Sequence, residues 1–311
     1  MSNSVFVSII IPTYNRARTI SKAIQSVLNQ SYTNYQLIVV DDGSKDNSRE
    51  VIAAFPQVEY YYKENGGQAS ARNHGLQFAR GEYIASLDSD DEWHPTYLEQ
   101  QMNAIQLHNL DVAFANWYQF SPDFGKYPFL TNFKYVRDLY KTELETAYYI
   151  FDYKNLRERY IKVCICPSSG VILRKAIMKN GWNNRMHIGD DWFLMLDIIT
   201  QQPIQCGFTF NPLWNKNVND DNVYDGRNMF EIYKYLYYND IDTMLKTLHP
   251  YLSKKEKYTL KKHKFNAVHA MYKMARKSKS IKESTTLLHY LGKTLMNHPL
   301  DFLQHTLHHL K

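Results

Sequence analysis

Hydrophobic and polar positions along the first 120 residues alternate between two periods. The apolar run Val5–Ile11 stops at Pro12 and predicts a buried strand. Ile20, Ile24, Val27 and Leu28 then recur at helical spacing. Leu37–Val40 predicts a second strand, halted by Asp41-Asp42-Gly43, and Val51, Ile52 and Phe55 a short helix. Val58–Tyr62 reads as a third strand, Gly66-Gly67 opens a helix through Ala71, Leu76 and Ala79, and Tyr83–Leu87 is a fourth strand ending at Asp88. Such alternation predicts an α/β fold, a mostly parallel sheet with helices on both faces. Ligands of such sheets bind beyond the carboxyl ends of the strands. Three polar clusters fall there: Pro12-Thr13-Tyr14-Asn15, Asp41-Asp42 and Asp88-Ser89-Asp90-Asp91.

Beyond this region the pattern thins. Residues 121–165 are irregular and rich in Tyr and Phe, Ser168–Leu173 returns to strand character, and Asp190–Thr200 predicts a helix. From about 226 onward Gly almost disappears, and Phe230, Tyr233 and Tyr237, then Leu260, Val268 and Met271, keep a helical period. Three to five helices are expected there, so the chain divides into a domain over 1–225 and an α-helical region over 226–311.

Composition narrows the class. A chain of 311 residues, 44% hydrophobic and 22% charged, can bury a sizeable core, which excludes general disorder. No stretch approaches the roughly 18 apolar residues of a membrane span. The N-terminal apolar run has no basic residues before it and no small-residue cleavage site after it, so it reads as a strand and not a secretion signal. The three Cys make no disulfide framework, and Cys164-Ile165-Cys166 is too tightly spaced for the usual zinc pair; a reducing cytosol fits. Charge is uneven. Residues 241–311 hold 14 Lys/Arg against 4 Asp/Glu, whereas the preceding 240 hold 23 against 27, so a slightly acidic body carries a basic tail.

Each polar cluster has a chemical and a structural reading. Carboxylates crowded at Asp88, Asp90 and Asp91 are costly unless a cation neutralises them, and hard oxygen ligands suit Mg²⁺ or Mn²⁺ with substrate phosphates completing the shell. The same residues can simply cap a helix near Pro95. Asp41 and Asp42 can accept from a nucleobase or ribose, or form an Asp-Gly turn with Ser44 or Asp46 capping the next helix. Gly66-Gly67 lets backbone approach an anion at a helix N-terminus, with Arg72 one turn inside; alternatively this is a loop before an exposed Arg. In Gly189-Asp190-Asp191-Trp192, one acid can be a general base, or both can cap the helix. Neither a phosphate-binding P-loop nor a dinucleotide fingerprint is present.

In order, I-I-I-P-T-Y-N, V-V-D-D-G-S-K-D, N-G-G-Q-A-S-A-R-N-H-G, G-E-Y-I-A-S-L-D-S-D-D and G-D-D-W-F-L resemble the family 2 glycosyltransferases, inverting enzymes of the GT-A fold that use nucleotide sugars. The resemblance is dense over residues 5–120, thinner from 165 to 225, and absent from the tail. It implies a nucleotide-binding half over 1–120 and an acceptor half over 121–225. Pro12, Thr13, Tyr14 and Asn15 would line the nucleobase pocket, Asp41 and Asp42 would contact the base, and Gly67 and Arg72 the nucleotide. Asp88 and Ser89 would lie at the ribose or sugar, and Asp90, with Asp88, would hold Mn²⁺ or Mg²⁺. Asp191 matches the second acid of the family's E-D motif, the catalytic base, and Asp190 replaces the usual Glu. Asp190, Trp192 and Trp117 are acceptor candidates, together with Tyr118, Tyr127, Tyr135, Tyr148 and Tyr149. Many relatives carry a diphosphate- or metal-binding His after this helix; Asn217, following Lys216, stands in its place.

The implied reaction is a single displacement that moves a sugar from a nucleotide-diphosphate donor, UDP-linked in the commonest case, to a hydroxyl of a glycan or lipid-linked glycan in surface polysaccharide synthesis. The alternatives are a nucleotidyltransferase, which would show a Gly-rich basic first turn, and a catalytically inactive nucleotide-sugar scaffold or sensor. The tail's basic helices suit an anionic membrane surface, which would make the protein cytoplasmic and peripheral on the inner face. A solvated helix face or a homo-oligomer bundle are the other readings. Nucleic acid is not an expected partner, since no recognition signature accompanies the charge.

Overall fold

The computed structural model describes residues 5–121, 125–130, 148–217, 226–278 and 280–309. Tyr135 lies outside them. The chain forms two compact units, residues 1–184 with 194–218, and residues 185–193 with 219–311.

The first unit is built on one ten-stranded sheet. Its opening elements are β1 (Val7–Thr13), α1 (Ile20–Leu28), β2 (Tyr35–Asp41), α2 (Ser48–Ala53), β3 (Glu59–Tyr62), α3 (Gln68–Phe78) and β4 (Tyr83–Ser86). They follow the predicted alternation: β1, β2 and β4 are short apolar runs buried on both faces, while β3, at the sheet's edge, is partly exposed. All seven residues of β1 are buried. There follow β5 (Glu92–Trp93), α4 (Tyr97–His108), β6 (Val112–Ser121), β7 (Gly125–Pro128), β8 (Tyr148–Phe151), α5 (Tyr153–Tyr160), β9 (Val171–Arg174), α6 (Asp190–Gln201) and β10 (Cys206–Lys216). The sheet order is β3-β2-β1-β4-β9-β6-β10-β5, with β7 beside β6 and β8 beside β10.

Strands β3, β2, β1, β4, β6 and β10 all point one way, and only the short strands β9, β5, β7 and β8 run against them. The fold is therefore α/β as expected, with the reversed β9 inserted between β4 and β6. One edge of the sheet accordingly gathers the carboxyl ends of β1, β2, β4, β6 and β10 with the amino end of β9.

Strand β10 carries no clean apolar period because it is bulged. Its pairing with β6 shifts register around Pro212, which has no N–H to give. Buried Asn116 repairs the gap: its amide donates to the Phe210 carbonyl (3.1 Å), and its Oδ1 accepts from the N–H groups of Trp117 (2.8 Å) and Leu130 (2.9 Å).

The second unit is helical: α7 (Met229–Lys234), a π-helical turn over Tyr235–Asp240, α8 (Ile241–Thr247), α9 (Lys254–Ser278), α10 (Ile281–Asn297) and α11 (Pro299–His309). Phe230, Tyr238, Phe265, Met271, Tyr290 and Phe302 belong to its core. Lys264, fully buried, pairs with Asp242 at 2.5 Å. Burial alone would raise the Asp242 carboxyl, but hydrogen bonds from Lys246 and Lys264 outweigh it and hold it at about 2. For Lys264 the balance is reversed and burial lowers it, because several amines share this carboxylate. No helix among the described residues is long and apolar enough to cross a membrane.

Candidate active site

At the end of β1, two loops are fastened together. Pro12 lies beyond the last β1–β4 pair, at Ile10, so its missing N–H breaks no ladder there. Asn15 has φ +52°, a left-handed conformation that Asn tolerates better than most residues. Its N–H donates to Ser44 Oγ (2.9 Å), and its Oδ1 accepts from the Lys45 N–H (2.8 Å). The Arg16 and Ala17 N–H groups donate to Ser48 Oγ (2.8 Å) and Asp46 Oδ2 (3.0 Å). The loop after β1 is thus held by the loop after β2. It leaves Tyr14 44% exposed, and it buries the Thr13 hydroxyl with no hydrogen-bond partner among the described residues. A buried hydroxyl without a partner costs free energy unless something supplies one.

Asp41 and Asp42 are both buried, and both carry structural hydrogen bonds. Asp41 Oδ1 accepts from the Ser44 N–H (2.8 Å) and Oδ2 from the Tyr60 hydroxyl (2.9 Å), which closes the Asp-Gly turn. Asp42 accepts from Lys63 Nζ (2.6 Å) and from the Gly66 and Gly67 N–H groups (3.0 and 2.7 Å). Gly67, the residue before α3, has φ +86°, which any side chain would strain. Asp42 therefore fixes the Gly-Gly loop.

The third cluster is the most strongly constrained. Arg72 is 2% exposed, so it is not a surface side chain. From under the sheet edge it donates to Ser86 Oγ (3.1 Å) and to Asp88 Oδ1 (2.5 Å). Asp88 retains 35% side-chain exposure, whereas Ser89, Asp90 and Asp91 are buried. The Asp91 N–H closes a turn on the Asp88 carbonyl (3.0 Å). Ser169, just before β9, accepts from the Asp88 N–H (3.1 Å) and donates to Asp91 Oδ2 (2.7 Å). Asn217, just past β10, donates its N–H to Asp91 Oδ1 (3.1 Å) and its amide to the Asp90 carbonyl (2.6 Å). Burial, then the neighbouring Asp88 charge, pushes the Asp90 carboxyl up from 3.8 to about 6, with Arg16 (3.7 Å away) and Lys216 opposing. Burial, with Asp88 and Asp90 alongside, pushes Asp91 well above the usual range.

A shift of this size disfavours ionised Asp90 by about 3 kcal/mol. Since the folded-state value lies above that of the open chain, the cost grows as pH rises from 3.8 to about 6 and is complete above it. Among the described residues no group of three or more His, Cys, Asp or Glu is placed to hold a metal. The donor set is nonetheless the one a hard cation uses when carboxylates supply one or two ligands and phosphates and water supply the rest. Asp88 and Asp90 fit that role, and a cation there would offset the cost.

The other candidates belong to other elements. Asp190 and Asp191 open α6, whose first turn, through Phe193, belongs to the second unit. Asp190 is buried and Asp191 half-buried, and Asp191 Oδ1 accepts from the Trp192 N–H (2.7 Å). Trp192 is buried edge-on to His263. Trp117 is 3% exposed and stacks between Phe129 and Trp214, so it packs in the first unit's core. Tyr148 is likewise buried and donates to Gln101 Oε1 (2.9 Å), and Tyr149 packs edge-on to Phe151. Tyr118 lies under the Lys126 amine (4.5 Å), and Tyr127 stacks near Phe129. Sequence reasoning did not single out Ser169 as part of the site, since one Ser in a Ser-Ser-Gly stretch carries no signal. Arg16 lies in the loop after the first strand, and no local pattern there links it to Asp90.

Residues 8–182, more than half of the chain, match the model of glycosyl transferase family 2. The chain belongs to that family. Among its family 2 relatives is the Escherichia coli UDP-Glc:alpha-D-GlcNAc-diphosphoundecaprenol beta-1,3-glucosyltransferase WfgD, 42% identical over 114 residues, or 36% of this chain and 45% of that protein. The chain covers less than half the length of the curated relatives it matches. S. aureus TarS 1–349, solved with UDP-GlcNAc, superposes with a TM-score of 0.66 at 16% identity, over 96% of this chain and 81% of that one. The mannosyltransferase PcManGT from Pyrobaculum calidifontis, solved with GDP-Man and Mn²⁺, gives 0.60 at 15% identity, over 99% and 88%. These likenesses show that the family 2 chain shares the fold of both.

Ser169→Ala removes two hydrogen bonds from the acid-rich turn and leaves Asp91 short of a donor. It is expected to lower unfolding free energy by about 1–3 kcal/mol in urea titration; an unchanged midpoint would show that Ser169 does not hold the turn.

Proposed function

We propose that the protein is a metal-dependent inverting glycosyltransferase that moves a sugar from a UDP-sugar to a hydroxyl of a glycan or lipid-linked glycan in surface polysaccharide synthesis. The observation that carries this reading is the acid-rich turn after β4, which buries Asp90 and Asp91 beside Asp88 at the carboxyl edge of the sheet. TarS, solved with UDP-GlcNAc, and WfgD, named for a UDP-glucose donor and a lipid-diphosphate acceptor, support the donor and acceptor classes.

In this reading the donor lies along that edge. The Tyr14 ring is the exposed face for the uracil, and the Thr13 hydroxyl finds its missing partner there. Arg72 holds Asp88 in place for the ribose or sugar, and Asp42 holds the Gly66-Gly67 loop against the nucleotide. Asp90 with Asp88 would hold Mn²⁺ or Mg²⁺, which when bound would offer counter-charge to the departing diphosphate. Arg16 and Lys216, the cations that already act on Asp90, add to it. Asn217 fastens the turn from β10 in place of the family's usual His. Asp191 takes the proton of the acceptor hydroxyl as it attacks the anomeric carbon on the face away from the diphosphate. One displacement inverts that centre, so an α-linked donor gives a β-linked product.

A membrane-surface role for the second unit completes the proposal. On α10, Ile281 is 84% exposed, Leu288 68% and Met296 80%, with Lys282 and His289 also exposed and no acid among that helix's exposed positions. An exposed apolar face bordered by a lysine and free of exposed acids suits anionic lipid, where a lipid-linked acceptor resides.

Thermal-shift titration with UDP and Mn²⁺ is expected to stabilise the wild type, since ligands of the folded state raise its midpoint. Asp90→Ala should lose the Mn²⁺-dependent part. Asp191→Asn should retain the shift and lose turnover by about 10²–10⁴-fold, the usual loss on removing a general base. An unchanged Mn²⁺ titration in the first variant, or normal turnover in the second, contradicts the respective assignment. Flotation with phosphatidylglycerol vesicles is expected to carry the protein at low salt and to fail for Leu288→Glu. Equal flotation of both, or none at low salt, removes the membrane role.

A further inference from the structure

The carboxylate of Asp240 plays no part in the donor edge, yet it is fully buried and saturated with donors. It ends the π-helical turn Tyr235–Asp240, a rare conformation that is frequent at functional sites. Oδ1 accepts from the His187 N–H (2.8 Å) and lies 2.9 Å from His187 Nδ1. Oδ2 accepts from the Ile188 and Gly189 N–H groups, both at 2.9 Å. A carboxylate only accepts, so Nδ1 carries the proton in this contact. The Gly189 carbonyl then accepts the first helical bond of α6, from the Phe193 N–H (2.8 Å). One side chain from the π turn therefore binds the whole run His187–Gly189, at the point where it becomes the helix that begins Asp190-Asp191. The fit is close on the other side too: a Cβ on Gly189 would lie 2.7 Å from Leu236 Cδ1, on the same π turn.

We propose that Asp240 is the positioning residue for Asp191, holding the entry to α6 so that the Asp191 carboxylate keeps the one orientation in which it receives the acceptor's proton. This rests on the reading of Asp191 as the base. Asp240 touches no substrate. It acts through three backbone N–H groups and one imidazole, all within the two to four residues before Asp191.

The test is steady-state turnover of the UDP-sugar that stabilises the wild type, measured as transfer to water and expressed per UDP-binding site, for Asp240→Asn, Asp191→Asn and the double variant. Asn keeps the size of Asp but turns one acceptor into a donor, against N–H groups that need acceptors. Asp240→Asn is expected to lower kcat by about 10²-fold, the cost of an ångström-scale misplacement, with KM for the donor within about twofold of wild type. The double variant should be no slower than Asp191→Asn, because residues that act as a unit are not additive.

Full turnover of Asp191→Asn ends the base reading, whatever Asp240 does. A slow Asp191→Asn beside a folded Asp240→Asn with wild-type kcat leaves the base standing and overturns the positioning role, as does a loss confined to KM. Should Asp240→Asn fail to fold, Gly189→Ala probes the same loop from its other face. It should lower kcat and leave KM unchanged, and adding Leu236→Ala should restore kcat. An unaffected kcat in Gly189→Ala overturns the proposal.

Discussion

Three carboxylates within four residues, Asp88, Asp90 and Asp91, are crowded onto one turn at the edge of the sheet, and the cost of burying charge there, increased by their mutual repulsion, is the constraint around which that edge is arranged. Asp90 and Asp91 are held where water cannot screen them, so both resist ionisation. Every surrounding element answers that charge. Buried Arg72 comes up from α3 to Asp88, Arg16 reaches Asp90 from the loop after β1, Ser169 arrives from the start of β9, and Asn217 from the end of β10. A protein needing only a helix cap after β4 would not bury two acids beside a third there. Retaining them is explicable if a cation and a diphosphate complete the balance.

The topology makes this convergence possible. Because β1, β2, β4, β6 and β10 run the same way, their ends fall on one edge although they are separated by up to about 200 residues of chain. The edge is also pre-assembled. Asn15, Ser44, Asp46 and Ser48 join the first two loops, and Asp42 ties the third to them, so little ordering remains to oppose ligand binding. The second unit shows the same economy: at its first helical turn, one buried carboxylate fixes a whole loop by its backbone.

The parts of this arrangement that were readable beforehand are those encoded locally. Val7–Thr13, Tyr35–Asp41 and Tyr83–Ser86 announce themselves by short apolar runs, and the acids and glycines after them by position. Long-range partners were not readable. Nothing at Ser169 or Arg16 signals that chain far away will fold against it, and Arg72, readable as a nucleotide contact or as an exposed base, carries no sign of its buried pairing with Asp88. Strand β10 hid behind Pro212, whose bulge depends on Asn116 from another strand. Aromatic residues that invite a sugar-stacking role, Trp117 and Tyr148, are buried, because aromatic side chains serve cores as readily as ligands. Asp240 gave no sequence signal, since its role depends on a π turn and on backbone N–H groups some 50 residues earlier.

The most direct test of the central claim is a crystal structure with UDP and Mn²⁺, with data collected at the manganese absorption edge. The account predicts one anomalous peak within coordination distance of the Asp90 carboxylate, bridged to the diphosphate, with uracil against Tyr14. Manganese and nucleotide bound away from the Asp88–Asp91 turn, or nucleotide seated there with Asp90 untouched by metal, would contradict it.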